Sequence, residues 1–81
     1  MANGKRDEAV LEHFHIGKQV RAENEMWPGK WENGEIISHS QRGYYGAGIG
    51  IRLESGEIVE YDVRYLDHED ERNSYVRSAR S

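Results

Sequence analysis

The chain contains no cysteine and only one proline, Pro28, among its 81 residues. Without cysteine there is no disulfide framework and no thiolate metal site, and this composition fits a reducing intracellular compartment. Long apolar runs are also missing, so the sequence predicts no membrane-spanning segment. The polar residues 1–6 are not followed by an apolar stretch and therefore predict no signal peptide.

The chain is long enough for one domain with a small core, because a chain of this size buries only about 60% of its unfolded surface. Its formal net charge is −4, and residues 54–71 hold eight acidic residues against one basic residue, Arg64. Phosphate contacts need clustered Lys and Arg, so this distribution disfavours a nucleic-acid backbone as the main partner. It favours a Lys/Arg-rich peptide, although the same charges would also serve simply to solvate a small domain.

The first structural signal is helical. Val10, Leu11 and Phe14 fall on one helical face, which predicts a short helix over residues 7–14 that ends before Gly17. So short a helix would be unstable alone, and we expect it to dock through Leu11 and Phe14.

Five later segments show the alternation of apolar and polar residues that is typical of half-buried strands. They span residues 19–23, 31–40, 47–53, 58–66 and 74–77. Turns rich in glycine or polar residues separate them, so we predict an all-β fold, a small closed or nearly closed five-stranded barrel with a short N-terminal helix. We divide the chain into an N-terminal segment, residues 1–16, a barrel, residues 17–78, and a tail, residues 79–81.

Two registrations fit the later strands. In the first, the strand over residues 58–66 places Tyr61 and Tyr65 on one face together with Val59 and Val63. In the second, strands three and four span residues 49–53 and 57–62, residues 64–66 form the last strand, and residues 68–81 are a tail.

The two tryptophans, Trp27 and Trp31, flank the turn at Pro28 and Gly29. Trp31 opens a predicted strand and suits either the core or the wall of a binding site. Trp27 lies in the turn itself, where a side chain has less reason to be buried. The position of these rings therefore decides whether they are packing or ligand-binding residues.

Four segments together resemble the Tudor-like (Tudor/Agenet) branch of SH3-like barrels. The first strand ends in Val20-Arg-Ala22, and the second opens with Trp31 followed by Glu-Asn-Gly-Glu-Ile36. Tyr61-Asp-Val-Arg-Tyr-Leu-Asp67 and Tyr75-Val-Arg77 complete the resemblance. It covers residues 17–77, and its motifs are short.

The resemblance implies a binding module rather than an enzyme, one that reads methyl-lysine or methyl-arginine in a basic, histone-tail-like peptide in the nucleus. Position by position, Trp31 and Tyr65 match walls of an aromatic cage, Asp67 matches the acid that contacts the ammonium, and Trp27 is the nearby aromatic for a further wall. A methylated ammonium suits aromatic faces because it keeps its charge but loses strong hydration. The chain departs from the family at Glu69, where a last aromatic is common, and in the additional segment 41–56.

Two other binding classes stay open. A nucleic-acid-binding barrel would need a basic face, and Arg72, Arg77 and Arg80 are the available cluster. A scaffold barrel similar to CAP-Gly domains, which bind acidic tails, is suggested by Gly48-Ile-Gly-Ile-Arg-Leu-Glu54, although the Gly-Lys-Asn-Asp-Gly motif of that groove is missing.

Catalytic and metal signals are weak. The histidines, His13, His15, His39 and His68, do not have the spacing of a zinc site, and no cysteine supports them. Neither a phosphate-binding loop nor a nucleophile elbow occurs in the sequence. We therefore expect no cofactor, no metal site and no enzyme activity.

Overall fold

The computed structural model describes residues 4–23, 29–41 and 47–79. These residues form a helix and five strands: α1 (Gly4–His13), β1 (Gln19–Glu23), β2 (Trp31–Gln41), β3 (Ala47–Leu53), β4 (Ile58–Asp62) and β5 (Val76–Ser78). Two single-turn 3₁₀ helices, Val63–Tyr65 and Glu71–Asn73, lie between β4 and β5. Among the described residues, no helix combines the length and the apolar character that crossing a membrane requires.

The strands form one antiparallel sheet with the order β4-β3-β2-β1-β5. The first four strands pair in the order of the sequence, and β5 pairs with the free edge of β1 to become an edge strand of the sheet. The β2–β3 register shifts between Ile36 and Ser38, and such an irregularity bends a strand. The prediction of an all-β fold with a short N-terminal helix is confirmed, and the arrangement is consistent with a small SH3-like barrel, although the sheet is not closed.

The core lies on the inner face of the sheet; alternate residues of β1 and β4 are buried, whereas β3 is buried along most of its length. In β1, Val20 and Ala22 are buried while Gln19 and Arg21 are exposed, which is the alternation that predicted the strand. The buried hydrophobic residues are Val10, Phe14, Val20, Ala22, Ile36, Ala47, Ile49, Ile51, Leu53, Val59, Tyr61, Val63, Leu66 and Val76. Most come from the strands, so the sheet supplies most of the core.

Helix α1 belongs to the same core. Val10 and Phe14 are fully buried and Leu11 is partly buried, so the predicted docking of the helix involves Val10 as well. Polar contacts tie it down: the Arg6 guanidinium donates to the Leu66 carbonyl at 2.7 Å, and His39 Nε2 lies 2.8 Å from the Phe14 carbonyl oxygen. The helix and the sheet therefore share one core.

The predicted fourth strand is too long. Asp62 ends β4 because its carboxylate accepts a hydrogen bond from the Arg64 backbone N–H and caps the 3₁₀ helix that follows. Tyr65 therefore leaves the face of Tyr61 and is exposed. The second registration places the end of strand four correctly, but its last strand and tail are wrong, because β5 lies at Val76–Ser78.

Candidate functional site

Trp31, the first of the predicted site residues, lies on the outer face of the sheet. The buried Gly34 and Ile36 lie an odd number of positions further along β2 and so face the opposite side. The residue paired with Trp31 on β1 is Glu23. The Trp31 side chain is half-buried, because the guanidinium carbon of Arg77 lies over the indole, 4.3 Å from the ring centroid. Trp31 is thus not a core residue, and one face of its ring already holds a cation of the same chain.

Tyr65 lies with two other tyrosines. Its ring centroid is 5.7 Å from that of Tyr75, with 54° between the ring planes, and Tyr75 lies 6.0 Å from Tyr61. Tyr65 and Tyr75 are 47% and 45% exposed, whereas Tyr61 is 5% exposed. We call Tyr61, Tyr65 and Tyr75 the tyrosine cluster. It presents two accessible rings supported by a third, buried ring.

Backbone hydrogen bonds hold the tyrosine cluster in place. The Tyr75 N–H donates to the Tyr65 carbonyl at 3.2 Å, and the Tyr75 carbonyl accepts from the Glu23 N–H at 3.1 Å. The Tyr61 hydroxyl donates to the Glu23 carbonyl. Each tyrosine is therefore fixed by, or packed against, a segment that the sheet positions, which reduces the entropy lost when a ligand binds.

Asp67 is a turn residue in the structure. Its carboxylate accepts hydrogen bonds from the Asp70 N–H at 3.0 Å and the Glu69 N–H at 2.9 Å. These two bonds, with smaller contributions from the nearby positive charge of His68 and Arg6, hold the pKa of Asp67 below its ordinary value. The group is ionised at neutral pH, as an Asp of ordinary pKa also is, and carries its negative charge two residues after Tyr65 in the sequence.

The predicted site is only partly assembled among the described residues. The structure records a ring contact of Trp31 with Arg77 and ring contacts of Tyr65 with Tyr75, but none between Trp31 and Tyr65 in the described parts of the chain. Trp27 lies outside the described residues. Sequence reasoning did not place Tyr75 at the site, because no periodic pattern indicates that its ring approaches Tyr65.

The chain segment that carries Tyr61 and Tyr65 is rich in acidic residues. Glu57, Glu60 and Glu69 are exposed on the segment that contains Tyr61 and Tyr65. The one basic residue of this segment, Arg64, lies with its guanidinium carbon 5.2 Å from the Tyr65 ring centroid. The cluster thus presents aromatic faces on a segment whose sequence is acidic, and both features favour a cationic ligand.

No group of three or more His, Asp or Glu residues in the described part of the chain has the arrangement of a metal site. Comparison with protein-family models, with curated proteins and with solved structures found no match to this chain. The Tudor-like resemblance therefore stays a prediction, and we infer a function from the geometry of the site.

Proposed function

We propose that this chain is a binding module that takes a cationic side chain of a basic peptide at the tyrosine cluster. The observation that carries the proposal is the pair of exposed rings, Tyr65 and Tyr75, with centroids 5.7 Å apart and planes tilted by 54°. Two tilted faces can contact a cation from two sides, as the walls of an aromatic cage do.

Charge supports this choice of ligand. The Arg64 guanidinium carbon lies 5.2 Å from the Tyr65 ring centroid, which supports an attraction of this ring for cations; a ligand would displace Arg64 or use the other face of the ring. Asp67, two residues after Tyr65 in the sequence, is negatively charged at neutral pH, and the hydrogen bonds in its turn hold its pKa below the ordinary value. A Lys/Arg-rich peptide would also be attracted by the eight acidic residues in positions 54–71.

The finer proposal is that the cation is methyl-lysine or methyl-arginine in a histone-tail-like peptide, bound inside the nucleus. Methylation lowers the hydration cost of the cation and leaves its charge, so it favours aromatic faces over water. Each cation–π contact at an exposed site contributes about 0.5–1 kcal/mol. After the cost of association, we expect a dissociation constant of roughly micromolar to millimolar order.

The experiment is a titration of the chain with a basic peptide in unmethylated, trimethylated and neutral forms, the last carrying a carbon isostere of trimethyl-lysine. Amide NMR shifts should centre on Tyr61, Tyr65 and Tyr75, and the trimethylated peptide should bind more tightly than the neutral one. Equal affinity for the charged and neutral forms would show that the site recognises shape rather than charge.

Matched variants separate the cation site from general hydrophobicity. Tyr65→Phe keeps an aromatic face and should retain most of the affinity, whereas Tyr65→Leu should weaken binding about threefold or more. Ile58→Ala is the control, because Ile58 is 60% exposed and has no ring. Similar losses in Tyr65→Leu and Ile58→Ala would contradict the proposal.

A further inference from the structure

An open cavity lined by arginines lies where β1, β5 and the second 3₁₀ helix meet. Its volume is about 320 Å³, and its lining residues are Arg21, Arg72, Arg77, Glu71 and Ser78. We call it the arginine pocket. None of its residues belongs to the tyrosine cluster.

Two of these arginines are paired on adjacent strands. Arg21 of β1 and Arg77 of β5 are direct partners in the antiparallel register, so their side chains leave the same face at neighbouring positions. Like charges directly opposite each other destabilise a strand pair. In a chain with a net charge of −4, such a pair of positive charges is consistent with a site for an anion.

The acidic residue of the pocket does not neutralise them. The Glu71 carboxylate accepts hydrogen bonds from the Ser78 N–H at 2.8 Å and the Ser78 hydroxyl at 2.7 Å, and it pairs with His13 at 2.5 Å. Among the described residues, Arg21 has no acidic partner, and its side chain is exposed. The guanidinium of Arg21 is therefore available to an anionic ligand in the pocket.

Contacts within the chain also hold Arg77 in position. Its Nη2 donates to the Arg72 carbonyl at 2.7 Å, and its guanidinium plane lies over Trp31. A guanidinium fixed in this way loses little entropy when it binds an oxyanion. Arg72 contributes a third guanidinium, on a side chain that is 89% exposed and pairs with Asp70 at 3.2 Å.

We propose that the arginine pocket binds a single phosphate group on a phosphorylated serine or threonine of a partner peptide. Clustered guanidinium groups bind phosphate oxygens through charge-assisted, bidentate hydrogen bonds. Glu71 lines the pocket and Asp70 pairs with Arg72 beside it, and these acids with the overall negative charge would repel a strand of successive phosphates. One dianionic group fits this arrangement better than a nucleic acid does.

The test is a titration with an otherwise uncharged peptide that carries one phosphoserine, alongside its serine and glutamate counterparts. The phosphorylated form should bind most tightly, and the amide shifts should centre on Arg21, Arg77 and Ser78. Binding of the serine form with equal affinity would overturn the proposal. Equal affinity for the glutamate form would overturn the assignment of phosphate in favour of a carboxylate.

Two arginine variants provide the matched comparison. Arg21→Gln should weaken phosphopeptide binding about fivefold or more, because a charge-assisted contact is lost. Arg52→Gln is the control: Arg52 is an exposed arginine that pairs with Glu35 at 3.6 Å outside the pocket, and its loss should change affinity less than about twofold. Equal losses in the two variants would mean that only net charge matters, and would overturn the proposal.

Stability and competition complete the test. Arg21→Gln without ligand should unfold at the same temperature as the native chain or at a higher one, because a like-charge pair is removed. Single-stranded DNA or RNA that binds more tightly than the phosphopeptide at about 0.15 M salt would overturn the proposal in favour of a nucleic-acid site. Tyr65→Leu should leave phosphopeptide binding unchanged, since this site is independent of the tyrosine cluster.

Discussion

The guanidinium of Arg77 covers the indole of Trp31, with 4.3 Å between the guanidinium carbon and the ring centroid. The aromatic residue that the Tudor-like resemblance assigns to a ligand is therefore engaged by an arginine from the neighbouring part of the sheet. This contact separates Trp31 from the tyrosine cluster and connects it to the arginine pocket. The two surfaces can be tested independently.

Replacing Trp31 should affect stability more than peptide recognition. Trp31→Leu removes the cation–π contact with Arg77, which we expect to cost about 0.5–1 kcal/mol in addition to lost packing. Affinity for a basic peptide should stay within about twofold of the native value, since the Trp31 ring contacts Arg77 and not Tyr65. Urea unfolding and peptide titration measure the two effects.

Tyr75→Leu is the matched comparison for Trp31→Leu. It removes a ring of the tyrosine cluster and should weaken basic-peptide binding, with a smaller change in stability because Tyr75 is 45% exposed. If Trp31→Leu abolished peptide binding and Tyr75→Leu did not, the cage implied by the family resemblance would be the correct site and the tyrosine cluster would not.

The fold could be predicted because its signals are local. The alternation of Ile49, Ile51 and Leu53 predicted the third strand over residues 47–53, which are the bounds of β3 in the structure. Alternation reports burial on one face of a strand without any knowledge of its neighbours. The predicted end of β4 was wrong because the capping hydrogen bond to the Asp62 carboxylate depends on one side chain rather than on a periodic pattern.

The site was harder to predict because it depends on the direction of each side chain and on contacts between distant segments. Trp31 and the buried Ile36 are five positions apart in one strand, so they point to opposite faces, but Ile37 has the parity of Trp31, and only the structure shows which isoleucine faces the core. The approach of Tyr75 to Tyr65 could not have been found in this way. It depends on how the chain between β4 and β5 folds back, which no periodicity encodes.

Gly34 should be intolerant of any side chain. A Cβ atom at this position would lie 2.8 Å from the Arg52 carbonyl oxygen and 2.9 Å from Ile51 Cγ2, so β2 and β3 would have to separate. We expect Gly34→Ala to reduce the free energy of unfolding by about 1–3 kcal/mol, the usual cost of overpacking. Denaturant unfolding measures the change.

Asn33→Ala is the control for Gly34→Ala, because Asn33 is the exposed neighbour on the same strand. Asn33→Ala should change the free energy of unfolding by less than about 0.5 kcal/mol, as most surface substitutions do. A loss in Asn33→Ala as large as that in Gly34→Ala would show that β2 is sensitive along its length and that the close approach at Gly34 is not the cause.

Glu71 should make the stability of the domain depend on acidic pH. Burial raises the pKa of Glu71, but the hydrogen bonds from His13 and Ser78 outweigh it and hold this pKa below its ordinary value of 4.5. A carboxyl with a lowered pKa in the folded state stabilises the fold above its unfolded pKa, and this stabilisation is lost as the pH falls through the folded value. Chemical unfolding from pH 7 to pH 3 should show the loss.

Glu71→Gln tests the same group at neutral pH. The variant should be less stable by about 1–2 kcal/mol, because the hydrogen bonds to a charged acceptor are weakened. Its stability should also fall less steeply than that of the native chain below about pH 4.5. Parallel pH profiles in the variant and the native chain would mean that Glu71 does not contribute to acid sensitivity.

Phe14 tests whether α1 is an integral part of the domain. Its side chain is fully buried against the sheet, although it lies in the segment that the sequence separates from the barrel. Phe14→Ala should reduce the free energy of unfolding by about 3–5 kcal/mol, the usual cost of truncating a buried Phe. Ile16→Ala, at a position that is 57% exposed just beyond the helix, should have little effect. If Phe14→Ala only released the helix, circular dichroism would show lost helical signal while the sheet unfolded at its original denaturant concentration, and the barrel would then be stable without α1.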